Sequence, residues 1–494
     1  LKPAHPNDEL NDYEPVLRRR DRHPDDLLPD AGEWQLTRRA ETAEPVLGQF
    51  LPHVPLRDAD KDVATPSDLA GEKFSSKRGH SVTFVGVFLF TFLVYFRPYE
   101  LTTRLLWLSS AAFVVALLTL VVYLPVQLGL EGRITSRPRE VKLVLLLTVM
   151  ALLSVPFALD RFLAWKSFID FLKVVTMFIV MINVVRTRQR LRLLLLLVLA
   201  ASCVVSLAAL NDYRTGNLTL QGVRIEGVIG GLLENPNDLA LHLVTMFPIA
   251  IGLVGASRSI IKKLIYLGCG LLIVAGTVAT FSRGGFLALV CVVGYIFWSV
   301  AKSNRALVLG IGLVLGVAVL ALAPGDYRSR IFESKDASAS ARKDDLKRSI
   351  FLMARHPVLG VGIGNYVLYS NLSKATHNAY TQVGAELGLI ALAFYLLFLF
   401  GPTRQLKRLR THDVIRADRK LRWLTMGLEA SLVGYMVASF FASVAFLWYA
   451  YYLVAFAVCW RRMILIEIEA GNTGHPSAEK KVTLVSSRGS LSHA

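Results

Sequence analysis

The sequence predicts an all-α integral membrane protein, a bundle of about twelve transmembrane helices with a large outer loop between the ninth and the tenth. Three observations predict it. Of 494 residues, 53% are hydrophobic and only 19% are charged, against about 25% charged in soluble domains; the mean hydropathy is +0.47. The apolar residues are gathered in runs of about 17 to 23, the length that crosses a hydrocarbon core at helical rise. The formal charge of +18 is concentrated in a subset of the connections, as the positive-inside rule requires. Together these exclude an ordinary cytosolic enzyme. No basic and aromatic patch sits on a soluble domain, so nucleic acid is not an expected partner.

Along the chain, residues 1–78 mix acids, bases and prolines without a sustained apolar period and read as a disordered cytoplasmic tail. The opening stretch is polar, without the apolar core of a signal peptide, so the first span is expected to act as the targeting signal. Residues 79–460 form the polytopic domain. Spans are expected near 82–96, 105–126, 141–157, 168–185, 191–210 and 239–255, then near 264–280, 286–300, 306–323, 379–400, 424–440 and 441–459. Residues 461–494 turn polar and serine-rich and read as a cytoplasmic tail.

The even-numbered connections carry Arg133, Arg137 and Arg139, then Arg186 to Arg192, Arg258 to Lys263, Lys302 with Arg305, and Arg404 to Arg422. That places them and both termini in the cytoplasm. The opposite, periplasmic side receives 211–238, the loop 324–378 and the turn Phe281-Ser282-Arg283-Gly284-Gly285. The four cysteines, Cys203, Cys269, Cys291 and Cys459, lie in or at the ends of apolar runs with no C-x-x-C spacing. They predict packing rather than metal ligation, and neither a metal nor another cofactor is expected.

Three segments carry candidate chemistry. Arg283 places a guanidinium at the outer interface, against the charge bias, beside paired glycines that permit a tight turn and a close ligand. A snorkelling structural arginine is the competing reading. Arg224 lies in Gly222-Val223-Arg224-Ile225-Glu226-Gly227, ahead of Glu234-Asn235-Pro236-Asn237-Asp238, where Asn237 or Asp238 suits a helix N-cap. The late loop has a charged stretch with Arg342, then Arg355-His356-Pro357-Val358-Leu359-Gly360-Val361-Gly362-Ile363-Gly364-Asn365-Tyr366, then His377-Asn378-Ala379-Tyr380 leading to Glu386-Leu387-Gly388. Its glycines follow no strand of a βαβ unit, so they do not predict a dinucleotide site. Arginines and a histidine at an outer interface suit displacement of a phosphorylated leaving group from a lipid carrier. Guanidinium forks match phosphate oxygens, and imidazole takes a hydroxyl proton near neutral pH.

In this order, on a bundle of about twelve helices with a late outer loop, these motifs resemble the bacterial O-antigen ligase and O-antigen polymerase superfamily, over about 81–461. The resemblance implies a C-type glycosyltransferase of the bacterial inner membrane. It would move a glycan from undecaprenyl diphosphate to a saccharide or lipid A core acceptor, inverting the anomeric centre without a metal. Other envelope polysaccharide assembly proteins are partners it suggests. By the same resemblance Arg224 and Arg283 hold the donor diphosphate and His377 activates the acceptor. Arg342 and Arg355 form a second basic tier, and Asn237, Asn378 and Glu386 complete the substrate-binding set, with Asn378 and Glu386 open to purely structural roles.

A transporter or flippase for a polysaccharide or amphiphile is the rival reading. Its support is the isolated intramembrane residues His242 and Glu429, while Lys166, Asp170 and Lys173 have the spacing to pair along the fourth span.

Overall fold

The computed structural model describes residues 79–97, 110–216, 218–220, 224–225, 235–300, 337–370 and 375–473. The expected N-terminal tail, the ninth span at 306–323 and most of the C-terminal tail lie outside the described residues. In chain order the helices are α1 (Ser81–Phe96), α2 (Ala111–Glu131), α3 (Arg139–Ser154), α4 (Arg161–Val184), α5 (Arg188–Thr215), α6 (Pro236–Ala256), α7 (Ile260–Ala279), α8 (Arg283–Val300), α9 (Ala337–Arg355), α10 (Ala379–Thr411), α11 (Arg419–Ala438) and α12 (Trp448–Thr473). A short antiparallel ribbon, β1 (Leu218–Leu220) and β2 (Arg224–Ile225), lies between α5 and α6. Among the described residues, nine helices are long and apolar enough to cross a membrane: α2 to α8, α10 and α11. To these α1 adds a shorter apolar helix of 16 residues, and α12 an aromatic-rich helix of 26.

Two spans differ from expectation. The twelfth starts at Trp448 rather than near Phe441, because 439–447 forms a 3-10 turn and irregular backbone. The tenth is not one straight helix. Gly388 has φ 88° and ψ 175°, and the rings of Tyr380 and Tyr395 are 6.2 Å apart. Fifteen residues of straight helix would separate them by about 22 Å along the axis. The segment 379–387 therefore folds back against 389–396, and residues 389–411 form the long helix that follows.

The core is centred on α6 and α11, which cross at glycines: a Cβ on Gly252 would sit 3.2 Å from the Cα of Gly427. Small residues at the crossing let the backbones approach, the usual means of packing helices where lipid is as apolar as leucine. By contrast α2 is largely exposed, with Phe113, Leu118 and Val121 outward, as a lipid-facing helix should be.

At the basic end, polar side chains lock helix ends together. Arg186 pairs with Glu131 at 2.9 Å and donates to Gln127, 3.2 Å, whose Oε1 also lies 2.8 Å from His80 Nε2. Arg462, fully buried, donates to the carbonyl of Ile182 and the hydroxyl of Ser136, both at 3.0 Å. Glu429, also fully buried, receives Arg410 at 2.7 Å and the hydroxyl of Tyr295. Away from that end, His242 shares a 2.9 Å hydrogen bond with Ser202, and Lys173 pairs with Asp170 at 2.8 Å. The intramembrane residues behind the transporter reading thus have structural partners.

Two outcomes follow. Arg410→Met leaves the Glu429 carboxylate buried and unpaired, which should cost about 3–5 kcal/mol and lower the thermal midpoint of the purified protein. Burial, and then the nearby Arg186, hold the His80 imidazole below the usual histidine range. It is neutral in the fold and protonates in the unfolded chain, so stability is full above about pH 6.5 and is lost as pH falls below it. His80→Gln should flatten that part of a stability-against-pH curve.

Candidate active site

The end of the bundle opposite the basic cluster gathers three helix starts. Asn235 begins α6: its Oδ1 accepts from the backbone of Asn237, 2.9 Å, Pro236 occupies the first turn, and Asp238 supplies an acid there. Each is what a helix start favours, an oxygen for orphan amides, a residue without N–H, and a negative charge at the positive dipole end. The side chain of Asn237 is not used in that cap. Its Oδ1 accepts from the hydroxyl of Ser282 at 2.9 Å, which ties the start of α6 to the turn between α7 and α8.

That turn is held from within. Ser282 N donates to Thr280 Oγ1, 3.2 Å, and Gly285 N to Ser282 Oγ, 3.2 Å. Phe281 takes the left-handed region, φ 53°, with its ring 5.6 Å from that of Tyr213. Arg283 is the first residue of α8 and is half-buried. The two glycines after it serve close packing: a Cβ on Gly285 would meet the Cβ of Ala240 at 2.5 Å, and one on Gly284 would meet Phe441 at 2.5 Å.

Phe441 belongs to the irregular segment between α11 and α12. Non-helical backbone at membrane depth must find partners in protein, and here side chains supply them. The Ala445 amide donates to Gln382 Oε1, 3.3 Å, and the Ala445 carbonyl accepts from Tyr451, 3.1 Å. Ser443 shares a 3.0 Å hydrogen bond with Thr376. The same short stretch therefore touches the Arg283 turn through Phe441 and the residue preceding His377 through Ser443. Two residues along the chain span at most about 7 Å, so the structure draws Arg283 and His377 into one neighbourhood.

His377 has φ 53°, and it is half-buried. A left-handed residue other than glycine costs of order 1–3 kcal/mol and persists where its surroundings dictate it. Thr376 dictates it by donating to the carbonyl of Asn378, 2.9 Å, from the other side of the bend. Asn378 is the N-cap of α10: its Oδ1 accepts from the amides of Tyr380 and Thr381, at 2.9 and 3.1 Å.

The glycine-rich stretch of the late loop is a clamp on the α10 bend. Val361 N donates to Ala385 O at 2.9 Å, Gly362 N to Glu386 O at 3.0 Å and Leu389 N to Pro357 O at 2.7 Å, so the broken helix is paired by the loop. Gly360 and Gly388 both have positive φ, and a Cβ on either would collide with the backbone of the other segment. Glu386, buried, accepts from Gly364 N at 2.9 Å. It sits beside the bend, nine residues from His377 and about 13 Å away along the helix, and so does not orient that imidazole. Asn365 bonds the backbone of Asp160 in both directions, at 2.8 and 3.1 Å, anchoring the clamp to the start of α4.

The two loop arginines stand apart. Arg342 is half-buried on α9 and Arg355 is exposed at its last residue; 13 residues of helix separate them by about 20 Å, too far to share one phosphate. Tyr366 docks α9, donating to Asp345 O at 2.9 Å; burial, then the neighbouring Asp345, pushes its phenol up to about 12, which keeps it a donor. Arg224 is on β2, opposite Leu220 of β1. Among the described residues, no group of three or more His, Cys, Asp or Glu side chains is placed to hold a metal ion. The irregular segment with Phe441 and Ser443 escaped the sequence reading because its apolar residues continue the hydrophobic run of α11.

The fold and this end of it define a polytopic helical membrane protein whose arginine and histidine turns sit at helix starts. Residues 268–396 match the family model described as O-Antigen ligase, which supports the O-antigen ligase superfamily for this chain. The matched stretch contains Arg283, Arg342, Arg355, His377, Asn378 and Glu386; Arg224 and Asn237 precede it. A search of curated proteins found no match. The family points to a membrane enzyme of the glycosyltransferase type, acting among polysaccharide and lipid-linked substrates.

The clamp gives a sharp test. Gly388→Ala or Gly360→Ala forces a Cβ into backbone at positive φ and should destabilise by more than about 1 kcal/mol. Hydrogen exchange of the Val361 and Leu389 amides should accelerate in either variant.

Proposed function

We propose that the protein is an inner-membrane glycosyltransferase that moves a glycan from undecaprenyl diphosphate to an acceptor hydroxyl on the periplasmic face, with both termini cytoplasmic. Ligation to lipid A core and polymerisation of O-antigen or exopolysaccharide repeats share this chemistry and differ in the acceptor. The observation that carries the reading is the meeting of the Arg283 turn and the His377 bend on one short segment, at Phe441 and Ser443. The starts of α6, α8 and the folded-back part of α10 lie there, and their dipoles favour an anion.

Arg283, with Arg224, holds the diphosphate and stabilises the charge that grows on it as the anomeric carbon–oxygen bond breaks. The acceptor oxygen attacks the anomeric carbon from the opposite face, so one displacement inverts the centre. His377 takes the acceptor proton as the new glycosidic bond forms, and the protein groups do this without a metal. Asn237 and Ser282 fix the arginine turn, and Thr376 and Asn378 fix the histidine. Arg342 and Arg355, too far apart for one phosphate, serve separate parts of an extended glycan. An apolar cavity of about 430 Å³ between α1, α2, α4 and α12, with Arg97 on its wall, supports a polyprenyl chain as the lipid part of the donor. The transporter reading is weakened because Glu429 is bound to Arg410 and His242 to Ser202.

The test is the glycan profile of a native host lacking the gene, complemented by wild type or variants. Long undecaprenyl-linked chains with uncapped acceptor indicate ligation; single repeat units indicate polymerisation; unchanged pools overturn the proposal. His377→Ala should lower the transfer rate of purified enzyme by about 10²–10⁴. Arg283→Ala should abolish transfer while leaving membrane insertion intact, and Arg283→Lys should not restore it, because an ammonium lacks the fork.

A further inference from the structure

The basic end of the bundle holds a pocket that glycan transfer does not use. It lies where the starts of α5, α7 and α11 meet the connection after α6, and it encloses about 310 Å³. Among the described residues, Arg192, Arg258, Lys262 and Lys420 wall it, with Ser257 and Ser259, and none of the lining residues is acidic. Like charges gathered at one cavity repel one another, so such a wall favours an anion. Arg192 reaches the hydroxyl of Tyr266 at 3.4 Å. Among the described residues, the side chains of Arg258, Lys262 and Lys420 have no hydrogen-bond or ion-pair partner.

The neighbouring charged groups are already engaged. Asp418, in the adjoining depression, caps α11 by accepting from the amides of Lys420 and Leu421, at 2.7 and 3.3 Å. Arg419 donates to the carbonyls of Gly255 and Ser257, at 2.9 and 3.2 Å, and so ties the start of α11 to the end of α6. Ser259 makes no side-chain cap to α7, so the first-turn amides of that helix are left to another acceptor.

Beside the rim, α7 turns Ile260, Ile261 and Leu264 outward, each more than 60% exposed. A dissolved anion has no use for such a surface, whereas acyl chains would lie along it. We infer that this pocket binds the headgroup of an anionic phospholipid, with its phosphate among Arg192, Arg258, Lys262 and Lys420 and its tails against α7. Basic pockets between membrane helices at the cytoplasmic surface have this use in general. The inference does not depend on the transfer chemistry at the other end.

Native mass spectrometry of the full-length protein in detergent, titrated with phosphatidylglycerol or phosphatidylcholine, tests it. Wild type should retain phosphatidylglycerol preferentially. The Arg258→Gln/Lys262→Gln/Lys420→Gln variant should bind it more weakly by about fivefold for each charge removed. Lys262→Arg/Lys420→Arg should keep the preference, which separates lost charge from lost folding. Arg137→Gln/Arg139→Gln, at the same end but outside the pocket, should also keep it. Four results would overturn the inference: no lipid preference in wild type, an equal loss in the Arg137/Arg139 variant, displacement of the lipid by millimolar inorganic phosphate, or lipid binding only after deletion of residues 1–78, which would make carboxylates of the chain's own N-terminal stretch the occupant.

Discussion

A membrane helix that breaks must have its freed backbone groups satisfied by protein, because lipid offers no partners. That constraint organises the end of this molecule where its candidate chemistry lies. At Gly388 the chain of α10 reverses, and the amides and carbonyls around the reversal are taken up by the glycine-rich loop through Val361, Gly362 and Leu389. The loop is tied in turn to the start of α4 through Asn365. Because 379–387 is folded back rather than continued, its capped N-terminus is brought beside α11 and the segment that follows it, where Tyr380 donates to the carbonyl of Met436 at 2.6 Å. The position of His377 is a consequence of the bend.

The second irregular segment, 439–447, obeys the same constraint and joins the Arg283 turn to the bend that precedes α10. Its backbone is served by Gln382 and Tyr451, and it has one side chain against Gly284 and another against Thr376. Local side-chain bonds then set the details: Ser282 on Asn237, Thr376 on the carbonyl beyond His377. Each residue type is ordinary for a cap or turn. Their joint effect is to present a guanidinium and an imidazole on short, doubly braced turns, the kind of support that holds reacting groups in place.

The opposite end is held differently. There, charged side chains are spent on one another and on helix ends: Arg186 with Glu131, Arg410 with Glu429, Arg462 on Ile182 and Ser136. Desolvation offsets most of the attraction within such buried pairs. The pocket of Arg258, Lys262 and Lys420 stands out because its cations are not treated in this way.

Sequence by itself determined the class of the protein and the placing of most helices. Apolar runs of bilayer length and clustered arginines are local properties, and a bilayer imposes them on any chain that spans it. The cap at Asn378 was legible for the same reason, because a cap acts on amides two or three residues away; at the start of α6 the sequence suggested Asn237 or Asp238, and the structure corrects this to Asn235, since its side chain is the one that accepts from a first-turn amide. Tertiary structure alone decided the reversal at Gly388, since an apolar run reads the same whether it is straight or folded. It decided the start of α12, hidden in the unbroken hydrophobic stretch from α11. It also decided that Glu386 serves the loop while Ser443 reaches the His377 bend, because those partners lie far apart in the chain and meet only when the helices pack.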